Sequence, residues 1–368
     1  MNKTITALAI MMASFAANAS VLPETPVPFK SGTGAIDNDT VYIGLGSAGT
    51  AWYKLDTQAK DKKWKALAAF PGGPRDQATS AFIDGNLYVF GGIGKNSEGL
   101  TQVFNDVHKY NPKTNSWVKL MSHAPMGMAG HVTFVHNGKA YVTGGVNQNI
   151  FNGYFEDLNE AGKDQTAVDK INAHYFDKKA EDYFFNKFLL SFDPSTQQWS
   201  YAGESPWYGT AGAAVVNKGD KTWLINGEAK PGLRTDAVFE LDFTGNNLKW
   251  NKLAPVSSPD GVAGGFAGMS NDSLIFAGGA GFKGSRENYQ NGKNYAHEGL
   301  KKSYSADIHL WHNGKWDKSG ELSQGRAYGV SLPWNNSLLI IGGETAGGKA
   351  VTDSVLITVK DNKVTVQN

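Results

Sequence analysis

The amino-acid sequence predicts an all-β fold, a six-bladed β-propeller. Three observations predict it: an apolar strand that runs into glycines six times, a second strand of one kind after each copy, and a spaced tryptophan after five of them. Internal repetition is decisive because each repeat is a unit that cannot bury its apolar face without its neighbours.

The glycine-ended strands are Val41-Tyr42-Ile43-Gly44-Leu45-Gly46, Leu87-Tyr88-Val89-Phe90-Gly91-Gly92, Ala140-Tyr141-Val142-Thr143-Gly144-Gly145, Trp223-Leu224-Ile225-Asn226-Gly227, Leu274-Ile275-Phe276-Ala277-Gly278-Gly279 and Leu338-Leu339-Ile340-Ile341-Gly342-Gly343. After a variable loop comes the second kind of strand, for example Trp52 to Asp56, Val107 to Asn111 and Val238 to Asp242. Trp64, Trp117, Trp199, Trp250 and Trp316 then open the last strand of the first five blades, and the sixth lacks one. Ring closure explains that departure, because one blade is completed from a chain end, either Lys363 to Gln367 or the mature N-terminus.

The recurring double glycine, aromatic and tryptophan resemble the kelch repeat across nearly the whole mature chain. Short strands at this spacing, with little helical periodicity between them, favour such a propeller over an α/β fold.

Met1, Asn2 and Lys3 precede a short apolar run from Ala7 to Ala17, and Ala17-Asn18-Ala19 places small residues two apart before Ser20. This is the pattern of a secretory signal, with residues 1–19 removed and 20–368 forming one propeller domain. The expected destination is outside the cytoplasm. No later stretch approaches the roughly 18 consecutive apolar residues of a membrane span. With no cysteine there is no disulfide or thiolate metal site. A formal charge of +1 with dispersed signs offers no basic surface for nucleic acid. A small ligand or a protein is the expected partner.

In a four-stranded blade, the connections between second and third strands and those between blades share one face. That face carries the two large insertions, Val146 to Asn186 in blade 3 and Ala280 to Ser305 in blade 5, whereas the other has short turns. Long loops on a rigid scaffold point to binding or catalysis there, with dimerisation as the alternative use. Val168, Ile171, Ala173, Tyr175 and Phe176 have helical spacing, so a helix is expected over about Gln165 to Lys179.

Several chemical motifs are excluded. Gly44 to Gly49 and Gly279 to Gly284 both satisfy G-x-G-x-x-G, but a dinucleotide site also needs a following helix, and a strand or a polar loop is expected instead. No H-E-x-x-H occurs, and His309 and His312 fall on opposite faces of a strand, so no metal site or cofactor is indicated. Copper oxidases on this scaffold need a cysteine for their thioether cofactor. The sialidase motif S-x-D-x-G-x-T-W is absent.

The four arginines are informative: Arg75 and Arg326 lie between blades, Arg234 and Arg286 between second and third strands, all on one face. A forked guanidinium binds both oxygens of a carboxylate, so these are candidate contacts for an anionic ligand. The alternative for Arg75 and Arg326 is a structural bond to backbone carbonyls. Glu228 directly follows the blade 4 glycine in Asn226-Gly227-Glu228-Ala229-Lys230-Pro231-Gly232-Leu233-Arg234, where a carboxylate can face the axis. Glu344 holds the same position in blade 6, so a turn role stays open for both.

The signal, the two insertions and the Asn226 to Arg234 segment together resemble the bacterial periplasmic N-acetylneuraminate epimerases, or sialic acid mutarotases, over essentially the full length. The resemblance implies interconversion of the α and β anomers of a sugar acid, with Glu228 as acid/base, Arg234 as a substrate contact, a periplasmic location and a dimer. Trp207 and Tyr208 are then candidates to meet the sugar's glycerol and N-acetyl groups. The competing expectation is a non-catalytic propeller that binds a carbohydrate or a protein, since propellers host both.

Overall fold

A computed structural model describes residues 20–245 and 248–368; the expected signal peptide lies outside the described residues. The described residues form six antiparallel blade sheets, each contiguous in sequence, five of four strands and one of five, in which the short strand Arg75–Asp76 adds to blade 2; three two-stranded ribbons lie outside them. The first strands are Thr33–Asp37, Thr79–Ile83, His131–His136, Ala214–Lys218, Phe266–Ser270 and Val330–Trp334. They pack in order around an axis, with the first strand of blade 6 against that of blade 1. This is the six-bladed β-propeller that the repeat predicts.

The glycine-ended strands, second from the axis, are the most completely covered by neighbouring blades. Ser337–Ile341 is buried throughout, which is why this strand reads as a continuous apolar run. The outer tryptophans tie blades together: Trp117 donates from its indole N–H to the carbonyl of Ala68 at 2.9 Å and packs against Trp52 of blade 1.

Lys363–Gln367 is the last strand of blade 6, so the C-terminus completes the ring. The N-terminal segment clasps the same blade. The amides of Thr25 and Phe29 donate to the carbonyls of Thr352 and Val351 at 2.8 and 2.9 Å, and Leu22 donates to Ser354 Oγ at 3.2 Å. Leu22 and Phe29 are buried among Val41 and Ile43 of blade 1 and Leu339 and Ile341 of blade 6.

At the end of each glycine-bearing strand two successive residues have positive φ, from Gly91 and Gly92 (56° and 102°) to Gly342 and Gly343 (64° and 120°). This bend is the reason for the repeated glycine pair; Leu45 and Asn226 hold the first position in blades 1 and 4.

The blade 3 insertion contains α1 (Gln148–Ala161) and α2 (Gln165–Phe176). Only the second is expected from the sequence. Asn147 and Asp164 cap them, their side chains accepting from the amides of Ile150 and Ala167. One expectation needs correction: Gly279 to Gly284 is followed by a short helix, α3 (Ser285–Gln290), not by a polar loop. The amides of Gly284 and Arg286 at its start already donate to the Asp260 carboxylate, at 3.1 and 3.3 Å.

Candidate active site

Above blade 4 the chain makes a small ribbon in which Glu228–Lys230 pairs with Leu233–Arg234, placing Glu228 opposite Arg234. Gly232, with φ of 80°, allows the tight turn between them. Glu228 is anchored through its backbone, which exchanges hydrogen bonds with Ala211 at 2.7 and 3.0 Å. Its Oε1 accepts from the Gly232 amide at 2.6 Å and from the Arg234 guanidinium. Arg234 is 7% exposed, donates to the Ala280 carbonyl at 3.3 Å, and stands 3.5 Å from the Tyr328 hydroxyl and 5.4 Å from the centre of the Phe282 ring.

Both residues line a cavity of about 480 Å³, within the roughly 300–1,000 Å³ of small-molecule clefts. Its polar side also carries Ser31, Gln77, Lys302, Tyr328 and Glu344. Its other side is aromatic: Phe151, Tyr154 and Phe155 from α1, Tyr175 and Phe176 from α2. The missed helix therefore supplies three of these five rings. Tyr154 stacks on Tyr175 with ring centres 4.0 Å apart, and Phe176 stacks on Tyr295 of the blade 5 insertion at 4.9 Å.

The two insertions meet through Lys230. This fully buried lysine donates to the carbonyls of Phe176 and Asn294 at 2.9 and 2.6 Å and to that of Lys178. A cation here satisfies carbonyls at the end of α2, where the helix leaves acceptors without partners. Burial lowers the lysine to about 8, and Asp177 opposes that shift.

Glu344 is built differently from Glu228. It accepts from Lys30 at 2.6 Å, from Lys302 at 2.5 Å and from the Tyr304 hydroxyl at 2.5 Å. Burial alone would push its carboxyl up; these three donors outweigh burial and hold it at about 2. Burial, then the charge of Glu228, push the Tyr175 hydroxyl above its ordinary range, so it stays protonated.

Of the sequence candidates, the structure brings Glu228 and Arg234 together in the cavity. Arg75 grips Asp106 with both nitrogens, at 2.5 and 2.8 Å, and reaches the Gly91 carbonyl at 2.9 Å. Arg326 repeats this on Asp353, at 3.0 and 2.8 Å, and on the Gly342 carbonyl. Arg286 forks onto Asp236 at 3.0 Å twice. Trp207 stacks on Phe239 between blades 3 and 4, and Tyr208 is 63% exposed. None of these five lines the cavity of Glu228.

Among the described residues no cluster of three or more histidine or acidic side chains stands ready to hold a metal ion.

Fold and cavity define a class: a six-bladed β-propeller whose pocket, with polar and aromatic lining, fits a small polar ligand. A family model described as N-acetylneuraminate epimerase matches residues 22–366. The chain is 99% identical to the N-acetylneuraminate epimerase of Escherichia coli strain K12 and 98% identical to that of Shigella boydii serotype 4, over the full length of each chain. A solved structure described as that of YjhT superposes with a TM-score of 0.94 at 98% identity, covering 95% of this chain and 100% of the other. The chain belongs to the N-acetylneuraminate epimerase family.

Proposed function

We propose that the protein interconverts the α and β anomers of N-acetylneuraminate by opening and reclosing the sugar ring, with Glu228 moving protons and Arg234 holding the substrate carboxylate. The observation that carries this reading is the Glu228–Arg234 pair facing a cavity of sugar size.

Mutarotation is balanced without a co-reactant. The 2-hydroxyl loses its proton to the Glu228 carboxylate, Glu228 passes that proton on to O6, directly or through water, and the C2–O6 bond breaks to leave a ketone and an open-chain hydroxyl. Rotation presents the other carbonyl face. O6 then attacks it, and the protons return along the same route.

Arg234 has a second part in this reading. A substrate carboxylate competes with Glu228 for the guanidinium, which frees a glutamate oxygen to meet the sugar's 2-hydroxyl. The aromatic side offers contact area to the apolar edges of the sugar while the polar side takes its hydroxyl and amide groups.

Export belongs to the same reading. A signal ending at Ala19 is supported by the small-residue pattern before Ser20 and by a family match that starts at residue 22. The mature kelch-type propeller then works in the periplasm, as a homodimer if the family resemblance extends to assembly. N-terminal sequencing of the exported protein and light scattering test these two points.

The activity is tested by proton NMR of freshly released α-N-acetylneuraminate with and without the protein. Faster decay to the same final anomer ratio supports a mutarotase, and decay at the buffer rate rejects it.

A further inference from the structure

Where each connection between blades reaches the axis, one residue has a left-handed backbone: Ser31, Gln77, Gly130, Gly212, Gly264 and Tyr328, with φ of 55°, 56°, 64°, 64°, 64° and 57°. Backbone hydrogen bonds join them head to tail. The amide of Gln77 donates to the Ser31 carbonyl at 2.9 Å, Ser31 to Tyr328 at 2.7 Å, Tyr328 to Gly264 at 2.8 Å, Gly264 to Gly212 at 2.8 Å, and Gly212 to Gly130 at 2.7 Å. These five bonds run round the axis from Gln77 to Gly130 and hold one residue per blade there, of which Ser31, Gln77, Gly212 and Tyr328 line the cavity.

In this backbone region a Cβ crowds the following carbonyl, so glycine is the residue that fits without strain. Blades 3, 4 and 5 use it. Blades 6, 1 and 2 carry Tyr328, Ser31 and Gln77 instead, and all three line the cavity. The glycines leave room for these side chains. A Cβ on Gly264 would strike the Tyr328 ring, and one on Gly130 would stand 3.1 Å from the Gln77 amide oxygen. Tyr328 ends beside Arg234, its hydroxyl 3.5 Å from the guanidinium.

Strain retained where neighbouring blades use glycine marks residues kept for their side chains. We propose that Gln77 and Tyr328 are substrate-contacting specificity residues. The Tyr328 hydroxyl shares the sugar's carboxylate with Arg234, and the Gln77 carboxamide, both donor and acceptor, holds a neutral amide or hydroxyl group of the same ligand. This proposal rests on the sialic acid reading above.

The test exploits a position where glycine suits the backbone better than the native residue. Gln77→Gly and Tyr328→Gly are compared with the parent by thermal unfolding and by the NMR assay over a range of substrate concentration. Tyr328→Phe and Gln77→Asn serve as companions that keep packing. The expected result is an unfolding temperature equal to or above the parent's, with kcat/KM lower by about tenfold or more and the loss mainly in KM. Tyr328→Phe shares the loss. The loss in Gln77→Gly shrinks for whichever analogue, lacking the N-acetyl group or the glycerol tail, has no group for Gln77 to hold.

Values of kcat/KM within about twofold of the parent in Gln77→Gly and Tyr328→Phe overturn the proposal. An equal loss for every analogue overturns the Gln77 half. Should the glycine variants unfold, Tyr328→Phe and Gln77→Asn decide by the same criterion. A parent that leaves decay at the buffer rate sinks the mutarotase reading instead, and calorimetric titration of the variants with the sugar then decides for Gln77 and Tyr328 by the same tenfold loss, in affinity.

Discussion

Glu228 and Glu344 occupy one repeat position in blades 4 and 6, each backbone-bridged to an alanine, Ala211 or Ala327, yet their carboxylates are held in opposite ways. Glu344 is saturated by two lysines and a tyrosine, whereas among the described residues the only charged side chain bonded to Glu228 is Arg234. Equivalent positions in a repeat thus carry carboxylates with unequal sets of partners.

Glu228→Gln is expected to lower kcat by roughly 10²–10⁴-fold, the usual worth of a general acid/base, while sugar binding persists. Glu344→Gln should cost far less turnover. Parallel NMR rates and calorimetric titrations of the two variants check this, and equal losses in both would remove the distinction.

Glu344 also sets an acid limit on stability. Its folded carboxyl, at about 2, lies below the ordinary value of 4.5, so the folded state binds its proton less readily than the unfolded chain. The stabilisation is therefore complete above pH 4.5 and is lost as pH falls towards 2. Unfolding temperatures between pH 6 and 2 should fall less steeply in Glu344→Gln than in the parent, after allowance for the other carboxylates.

Arg75→Ala leaves Asp106 buried without its partner and should cost about 3–5 kcal/mol of stability. Arg326→Ala should cost less, because the Asp353 side chain is 40% exposed and water can replace the guanidinium. Urea unfolding measures both. Turnover per folded molecule should fall far less than in Arg234→Ala.

Lys230→Met orphans carbonyls of α2 and of the blade 5 insertion, at about 1–3 kcal/mol for buried groups left unsatisfied. Amide exchange over Gln165–Phe176 should accelerate, with KM rising as the aromatic wall loosens. Unchanged exchange there would show that packing alone holds the two insertions.

The repeat was legible because the bend that ends each glycine-bearing strand needs two positive-φ residues, and glycine advertises that need. Glu228 and Arg234 were legible because a short ribbon keeps neighbours in sequence neighbours in space. The arginine partners were not: Asp106 and Asp353 are 31 and 27 residues from their arginines, and such pairings form only when strands of a blade assemble. Trp207 and Tyr208 lie in the right connection but near its outer end, since Gln198–Glu204 is at the rim and Gly212 at the axis. The Ala-Gly pairs at 129–130, 211–212 and 263–264 carry the register that would have placed Gln77 and Tyr328 on that axis. The α1 helix was also readable from Ile150, Phe151, Tyr154, Phe155 and Leu158.

The N-terminal clasp separates two regimes of folding. Every blade pairs strands that are close along the chain, so six sheets can grow in sequence order with little loop-closure entropy. The bond from Leu22 to Ser354 spans 332 residues and cannot form until blade 6 exists. Assembly is therefore expected to be progressive and its last step a single long-range closure, so trimming residues 20 to 29 is expected to weaken the seam between blades 6 and 1 while leaving each sheet able to form.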